Sequence, residues 1–247
     1  MQGPHAADMG VAFNPQTGER EQVSRGEATS KGFQNFTKAS EAEFDRYRSS
    51  QVMFNDVQSN VSRYTTAVQR YAKEGRPSDG ALFDTIINKS GIAELALKIS
   101  AGGDIQVPIL TAFGEAVSRE ARSSAYKNLS PAGKSVVDGY FRTMAAVPAY
   151  QKALTTIGKL NKETIDLELA NIPNPTMAPD DQARKLAAFQ ENVNQGAAGL
   201  PRIKGVPTLQ ETRDKFEGTA TPIKRPNVNF EIPAPFAKGI FSQLGGQ

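Results

Sequence analysis

FDRYRSSQVMFNDVQSNVSRYTTAVQRY, residues Phe44 to Tyr71, carries one apolar face over its whole length. Tyr47, Phe54, Val57, Val61, Tyr64, Val68 and Tyr71 follow the alternating three- and four-residue rhythm of a helix seam, with Ser50 as its polar interruption. In a two-stranded coiled coil the positions flanking such a seam carry complementary charge. Here they are Met53, Gln58, Asn60, Thr65, Ala67 and Ala72, all uncharged. The stretch therefore reads as the long helix of an intramolecular bundle, with a self-associating coiled coil as the competing reading. Ser40 with Glu43 three residues on forms a capping box at its start. Gly75 in a left-handed terminal position and Pro77 after it are expected to stop it.

Toward the C-terminus helical patterns repeat. Ser78 or Asp79 is expected to cap a second helical region through Ile99, broken near Ser90-Gly91 and closed by Ala101-Gly102-Gly103. Asp104 opens a third, bearing Ile109, Leu110, Phe113 and Val117. Ser130-Pro131 places a capping hydroxyl before the one helical position that favours proline, and Val136, Val137, Tyr140, Phe141, Met144 and Val147 come next. Pro148 kinks or restarts this helix, and Tyr150, Leu154, Ile157 and Leu160 continue its face. Residues 161 to 170, NKETIDLELA, show both a strand alternation and a helix start; helical neighbours favour the helix. Pro173 and Pro175 make a rigid joint, after which Asp180 or Asp181 caps a helix carrying Leu186, Phe189 and Val193, stopped at Asn194-Gln195-Gly196.

The two ends have another texture. Residues 1–37 are rich in Gly, Gln, Ser, Thr and charge, with NPQTG (Asn14 to Gly18) as a turn. They read as an extended N-terminal arm without its own core, anchored by residues such as Phe13, Phe33 and Phe36. Residues 197–247 read as an extended Pro/Gly-rich C-terminal arm. Thr208 and Glu211 box a short helix in it, and Val228, Phe230 and Ile232 alternate with polar residues in a ribbon bracketed by Pro226 and Pro233. Phe236, Ile240, Phe241 and Leu244 make a last apolar patch. The expected fold class is all-α: an irregular bundle of about six helices over residues 38–196, built on one long N-terminal helix, with both arms outside it.

Composition bounds the chemistry. The 247 residues include no cysteine, which removes thiolate nucleophiles, disulfides and Cys-based metal sites. The single histidine, His5, leaves no Ser-His catalytic pair of ordinary type and no multi-histidine metal site. The carboxylate pairs Glu41/Glu43, Asp166/Glu168 and Asp180/Asp181 read as helix caps or solvated faces, and the GG at Gly102-Gly103 lacks the spacing of a phosphate loop. No catalytic residue, metal site or cofactor is assigned. A formal charge of +3 is a weak basic bias, carried by seven basic against four acidic residues from Pro201 onward. No run approaches the roughly 20 apolar residues of a membrane span, and no Sec signal peptide is read at the N-terminus.

The absence of Cys and Trp, the Gln/Asn/Ser-rich helices and the Pro/Gly-rich ends resemble in texture the subunits of large assemblies. The expected function is non-enzymatic and structural. In its concrete form it is a phage virion component, in the virion or host cytoplasm, whose arms contact neighbouring protein subunits, copies of itself among them. Phe13, Phe33, Phe36, Val228, Phe230, Ile232, Phe236, Ile240, Phe241 and Leu244 are the candidate contact residues. The alternatives are a secreted helical effector or translocator, and an accessory nucleic-acid-binding protein using the basic C-terminal arm.

Overall fold

The structure, a computed structural model, describes residues 7–100, 107–156, 158, 169 and 171–217. Three strands come first, β1 (Met9–Asn14), β2 (Glu19–Ser24) and β3 (Gln34–Lys38), with the short helix α1 (Arg25–Ser30) before β3. They form an antiparallel sheet in the order β2-β1-β3. This corrects two expectations, an N-terminal segment that is merely an extended arm and a fold without strands. The NPQTG turn is a hairpin loop: Gly18, at φ +73, donates its N–H to the Asn14 carbonyl at 2.9 Å. Val11, Ala12 and Val23 bury on the sheet, and Ala28 packs with Phe33 and Phe36 over Ala12 and Val23. Few apolar residues suffice because α1 covers one face of so small a sheet.

The helical body comprises α2 (Glu41–Glu74), α3 (Asp79–Asp84), a π-helical turn (Thr85–Lys89), α4 (Ile92–Ser100), α5 (Val107–Glu120), α6 (Ser124–Asn128), α7 (Pro131–Thr156), α8 (Pro179–Ala197) and α9 (Leu209–Glu217). The capping box of α2 is formed as expected, with Ser40 Oγ accepting from Glu43 N and the Glu43 carboxylate from Ser40 N. Phe54, Val57, Val61, Tyr64 and Val68 are all buried, and their partners are helices of the same chain. Phe54 meets Tyr150 edge-on at 5.8 Å, Tyr150 meets Phe189 at 5.5 Å, and Tyr64 lies 6.3 Å from Tyr140. One core thus joins α2, α7 and α8.

Close approach of α2 and α7 depends on Gly139, where an added Cβ would stand 2.8 Å from Tyr64 Cδ2 and 3.0 Å from Tyr64 Cα. Backbone on backbone cannot yield as a side-chain tip does. Gly139→Ala is expected to lower stability by about 1–3 kcal/mol, the usual cost of overpacking, read as an earlier urea midpoint; an unchanged midpoint would show that α2 and α7 can separate freely.

Several local expectations need correction. Gly75 ends α2 in an extended conformation, φ -67 and ψ 150, not a left-handed one. Glycine is needed there because Tyr71 folds back, with its Cε2 only 2.3 Å from where a Cβ would be. Asp180 and Asp181 do not cap α8; Ala178 is its first flanking residue, Pro179 opens it, and the two aspartates lie in its first turn. That helix runs through Gly196, whose missing Cβ leaves room for Leu154 and Phe54. Helix α7 passes through Pro148 without restarting. The expected break at Ser90-Gly91 is present, as the π-helical turn followed by Gly91 at φ +82. The helix-or-strand reading of residues 161–170 lies outside the described residues, except that Leu169 is helical and buried.

The joint expected at Pro173 and Pro175 is held from inside. Gln182, fully buried, donates to the carbonyls of Pro175 at 3.1 Å and Met177 at 2.8 Å, and Tyr64 Oη donates to the Pro173 carbonyl at 2.9 Å. Burial holds the Tyr64 hydroxyl well above its ordinary pKa, so it stays a donor. Among the described residues no helix is long and apolar enough to cross a membrane.

Candidate interaction surface

The sheet and the helical body are joined mainly through a third party. Residues 201–207 form a strap that meets β2 at Arg202, which makes a parallel bridge with Glu21. Arg202 N donates to the Arg20 carbonyl at 2.6 Å, and Gln22 N donates to the Arg202 carbonyl at 3.0 Å. This strap pairs with the middle of the β2 edge of the sheet. Its Ile203, 1% exposed, sits with Val11 of β1 and Phe44 at the start of α2 in a small core. A turn at Gly205, φ +83, then brings Pro207 onto α2, where Asn55 Nδ2 donates to its carbonyl at 2.8 Å and Gln51 Nε2 at 3.4 Å.

Asn55 and Gln51 belong to a polar stripe on α2, Gln51, Asn55, Gln58 and Ser62, spaced to lie on one helix face. Gln58 Nε2 reaches Ser62 Oγ at 3.1 Å. With its amide turned to suit its neighbours, Gln190 accepts from Gln58 at 2.7 Å and from the Arg213 guanidinium of α9 at 2.8 Å. Helix α9 is started by the box expected from sequence: Glu211 N donates to Thr208 Oγ1 at 3.1 Å and Thr208 N to the Glu211 carboxylate at 2.7 Å. That backbone bond holds the Glu211 carboxyl below its usual pKa, with Arg202, 3.1 Å away, adding to the effect. Strap and α9 are therefore fastened to the body by amides as well as by the apolar contacts of Ile203, Val206 and Leu209.

Between strap, β2 and α1 lies an open groove of about 940 Å³, whose charged rim is Glu21, Glu27, Lys31, Arg202, Lys204 and Glu211. Three acidic and three basic side chains share it. Glu27 is held below the usual carboxylate range by its hydrogen bond to Lys31, with Lys204 contributing at longer range. A smaller pocket of about 250 Å³ has Arg20, Glu43, Arg46 and Tyr47 among its lining residues.

The candidate contact residues divide sharply. Phe33 and Phe36 are brought together, half-buried on their own sheet; the Arg25 guanidinium covers the Phe36 ring at 4.7 Å, and Lys31 Nζ lies 5.9 Å from that of Phe33. Phe13 is half-buried on β1, opposite Arg20 and Gln34. Val228, Phe230, Ile232, Phe236, Ile240, Phe241 and Leu244 lie outside the described residues. Ile203, Gln51 and Asn55 are functional candidates that sequence reasoning does not find. Ile203 stands alone between charged residues, and amides on a long helix read as solvated, so neither carries a signal.

Of the carboxylate pairs considered for chemistry, Glu43 is engaged by Ser40 and Asp181 by Arg184. Among the described residues no group of three or more His, Cys, Asp or Glu side chains could hold a metal ion. Tyr140, Phe141 and Tyr150 are core residues. Compared with protein-family models, curated proteins and solved structures, the chain matches none of them.

Proposed function

We propose that this chain is a non-enzymatic structural protein that works by assembly with protein subunits, copies of itself included, and that a phage virion component is the most concrete form of that role. The observation that supports it most directly is the strap. By bonding to β2, residues 202–204 place the start of the C-terminal segment beside the N-terminal sheet, so parts of the chain near residue 20 and near residue 202 are gathered in one region. A helical body that carries an N-terminal sheet and the strap side by side is suited to holding neighbours.

The test is removal of residues 218–247 from the full chain. The expected result is retained helical circular dichroism with loss of every species heavier than the monomer in native mass measurement. Unchanged oligomerisation would overturn the role assigned to the C-terminal segment. Nucleic-acid binding through Lys224, Arg225 and Lys238 is the second reading, favoured by the basic excess of that segment. It would show as co-purifying absorbance at the nucleic-acid maximum that salt removes.

A further inference from the structure

The ribbon of residues 227–232, bracketed by Pro226 and Pro233, has the alternation of a strand that adds to a sheet edge. In the order β2-β1-β3 both outer strands are edges. β2 is met in its middle by Arg202, whereas β3 pairs with β1 alone among the described residues. We propose that residues 227–232 of one copy add as a fourth strand to β3 of a neighbouring copy. This rests on the assembly role argued above and names its contact.

The backbone of β3 has groups to offer. Ala39 N donates to the Met9 carbonyl at 3.2 Å, and bonded pairs alternate along an antiparallel ladder. Thr37, opposite Val11, therefore also turns its backbone inward, while Phe36 and Lys38 turn their N–H and C=O groups to the outer side. Asn35, at φ +53, and the register shift between Val11 and Phe13 end this regular stretch, so the edge is short. Side chains supply the rest. Phe36 is only half-buried beneath Arg25, and Phe230 laid beside it covers the ring, with Val228 and Ile232 extending the same face. Asn229 and Glu231 then share the other face with the exposed Thr37.

The place where the described chain ends favours a neighbour's edge over its own. β3 leads into α2, which starts at Glu41. Pro207 lies against Gln51 and Asn55, and Arg213 is level with Gln58 through Gln190, so α9 heads along α2 away from the sheet. Gln58 is about 25 Å along the helix from Glu41. Residues 218–226 can span at most about 33 Å, so a return to their own β3 would draw them nearly straight. A neighbour's β3 carries no such constraint.

The native chain has no cysteine, so introduced thiols report single contacts. Two differently tagged full-length versions, one carrying Thr37→Cys and the other Asn229→Cys or Glu231→Cys, are produced together in one cell and oxidised. Thr37 takes a non-hydrogen-bonded position in the new pair, where facing Cα atoms lie about 4.5 Å apart, within disulfide reach. Leu97→Cys, exposed on α4, paired with Asn229→Cys controls for random collision. The expected result is an oligomer by native mass in which the two tags become covalently joined in at least one Thr37 mixture and not in the control. An oligomer that joins tags in neither Thr37 mixture, or no more than in the control, overturns the strand addition and leaves assembly standing. A Thr37→Cys/Asn229→Cys double variant that closes its disulfide inside one chain overturns the neighbour as host. A monomer at every concentration overturns both strand addition and assembly.

Discussion

Val61→Asp combined with Val68→Asp is expected to leave no folded protein at room temperature. Both side chains are at most 1% exposed in the seam where α2 meets the rest of the core. Each replacement gives up about 1.5–3 kcal/mol of valine burial and puts a carboxylate into an apolar core. Desolvating that charge, or protonating it to avoid the cost, adds several kcal/mol more. Two such sites approach the whole of a domain's stability, about 5–15 kcal/mol. The readout is far-UV circular dichroism with size-exclusion chromatography, and the expected result is loss of helix signal with an expanded chain. A helical monomer produced from a larger native species would instead mean that the seam joins two chains, as in the competing coiled-coil reading.

Asp79→Ala is expected to cost about 3 kcal/mol, from several donors each losing about 1–3 kcal/mol of hydrogen bonding. Asp79 is fully buried at the start of α3 and ties that helix to the start of α7. Its carboxylate accepts from Ser130 N at 3.1 Å, from Ser130 Oγ, and from Arg76 N at 3.3 Å, with Arg76 Nε 3.7 Å away. Ser130 Oγ in turn accepts from Gly133 N at 2.9 Å, so the cap of α7 is held in place by the aspartate. Gly133 has no room for a side chain, since a Cβ would lie 2.8 Å from Asp79 Oδ2. In a chain of this size the loss corresponds to a Tm lower by roughly 6–12 °C. Asp79→Asn keeps one acceptor oxygen and should recover part of it. A Tm unchanged in Asp79→Ala would mean that water replaces the carboxylate without cost.

These two sites differ in how far sequence can show them. The seam is legible because helix periodicity is a local property: residues three and four apart share a face whatever the partner is. The Ser130-Pro131 start and the boxes at Ser40/Glu43 and Thr208/Glu211 are legible for the same reason, each closing within four residues. Asp79 is readable as a helix-start residue, but its partner Ser130 is 51 positions away and no spacing announces it. The N-terminal sheet is not legible because its strands are short and its apolar residues few. The turn at Asn14 to Gly18 stands out in the sequence, while the strands on either side of it read as an arm. Apolar cover comes from α1 and from Ile203, which is far from them in the sequence.

Local pattern and composition are enough to specify the long helix, its uncharged flanks, the helical character of most of the remaining chain, and the absence of thiol and multi-histidine chemistry. Each of these is set by neighbours in the chain or by residue counts. Packing in three dimensions is what fills the seam with α7 and α8, pairs residues 9–14, 19–24 and 34–38 as strands, and sets Arg202 against their edge. The physical reason is that an apolar face or a strand edge declares a need for a partner, while the choice of partner is made by packing and hydrogen bonding between residues far apart in sequence.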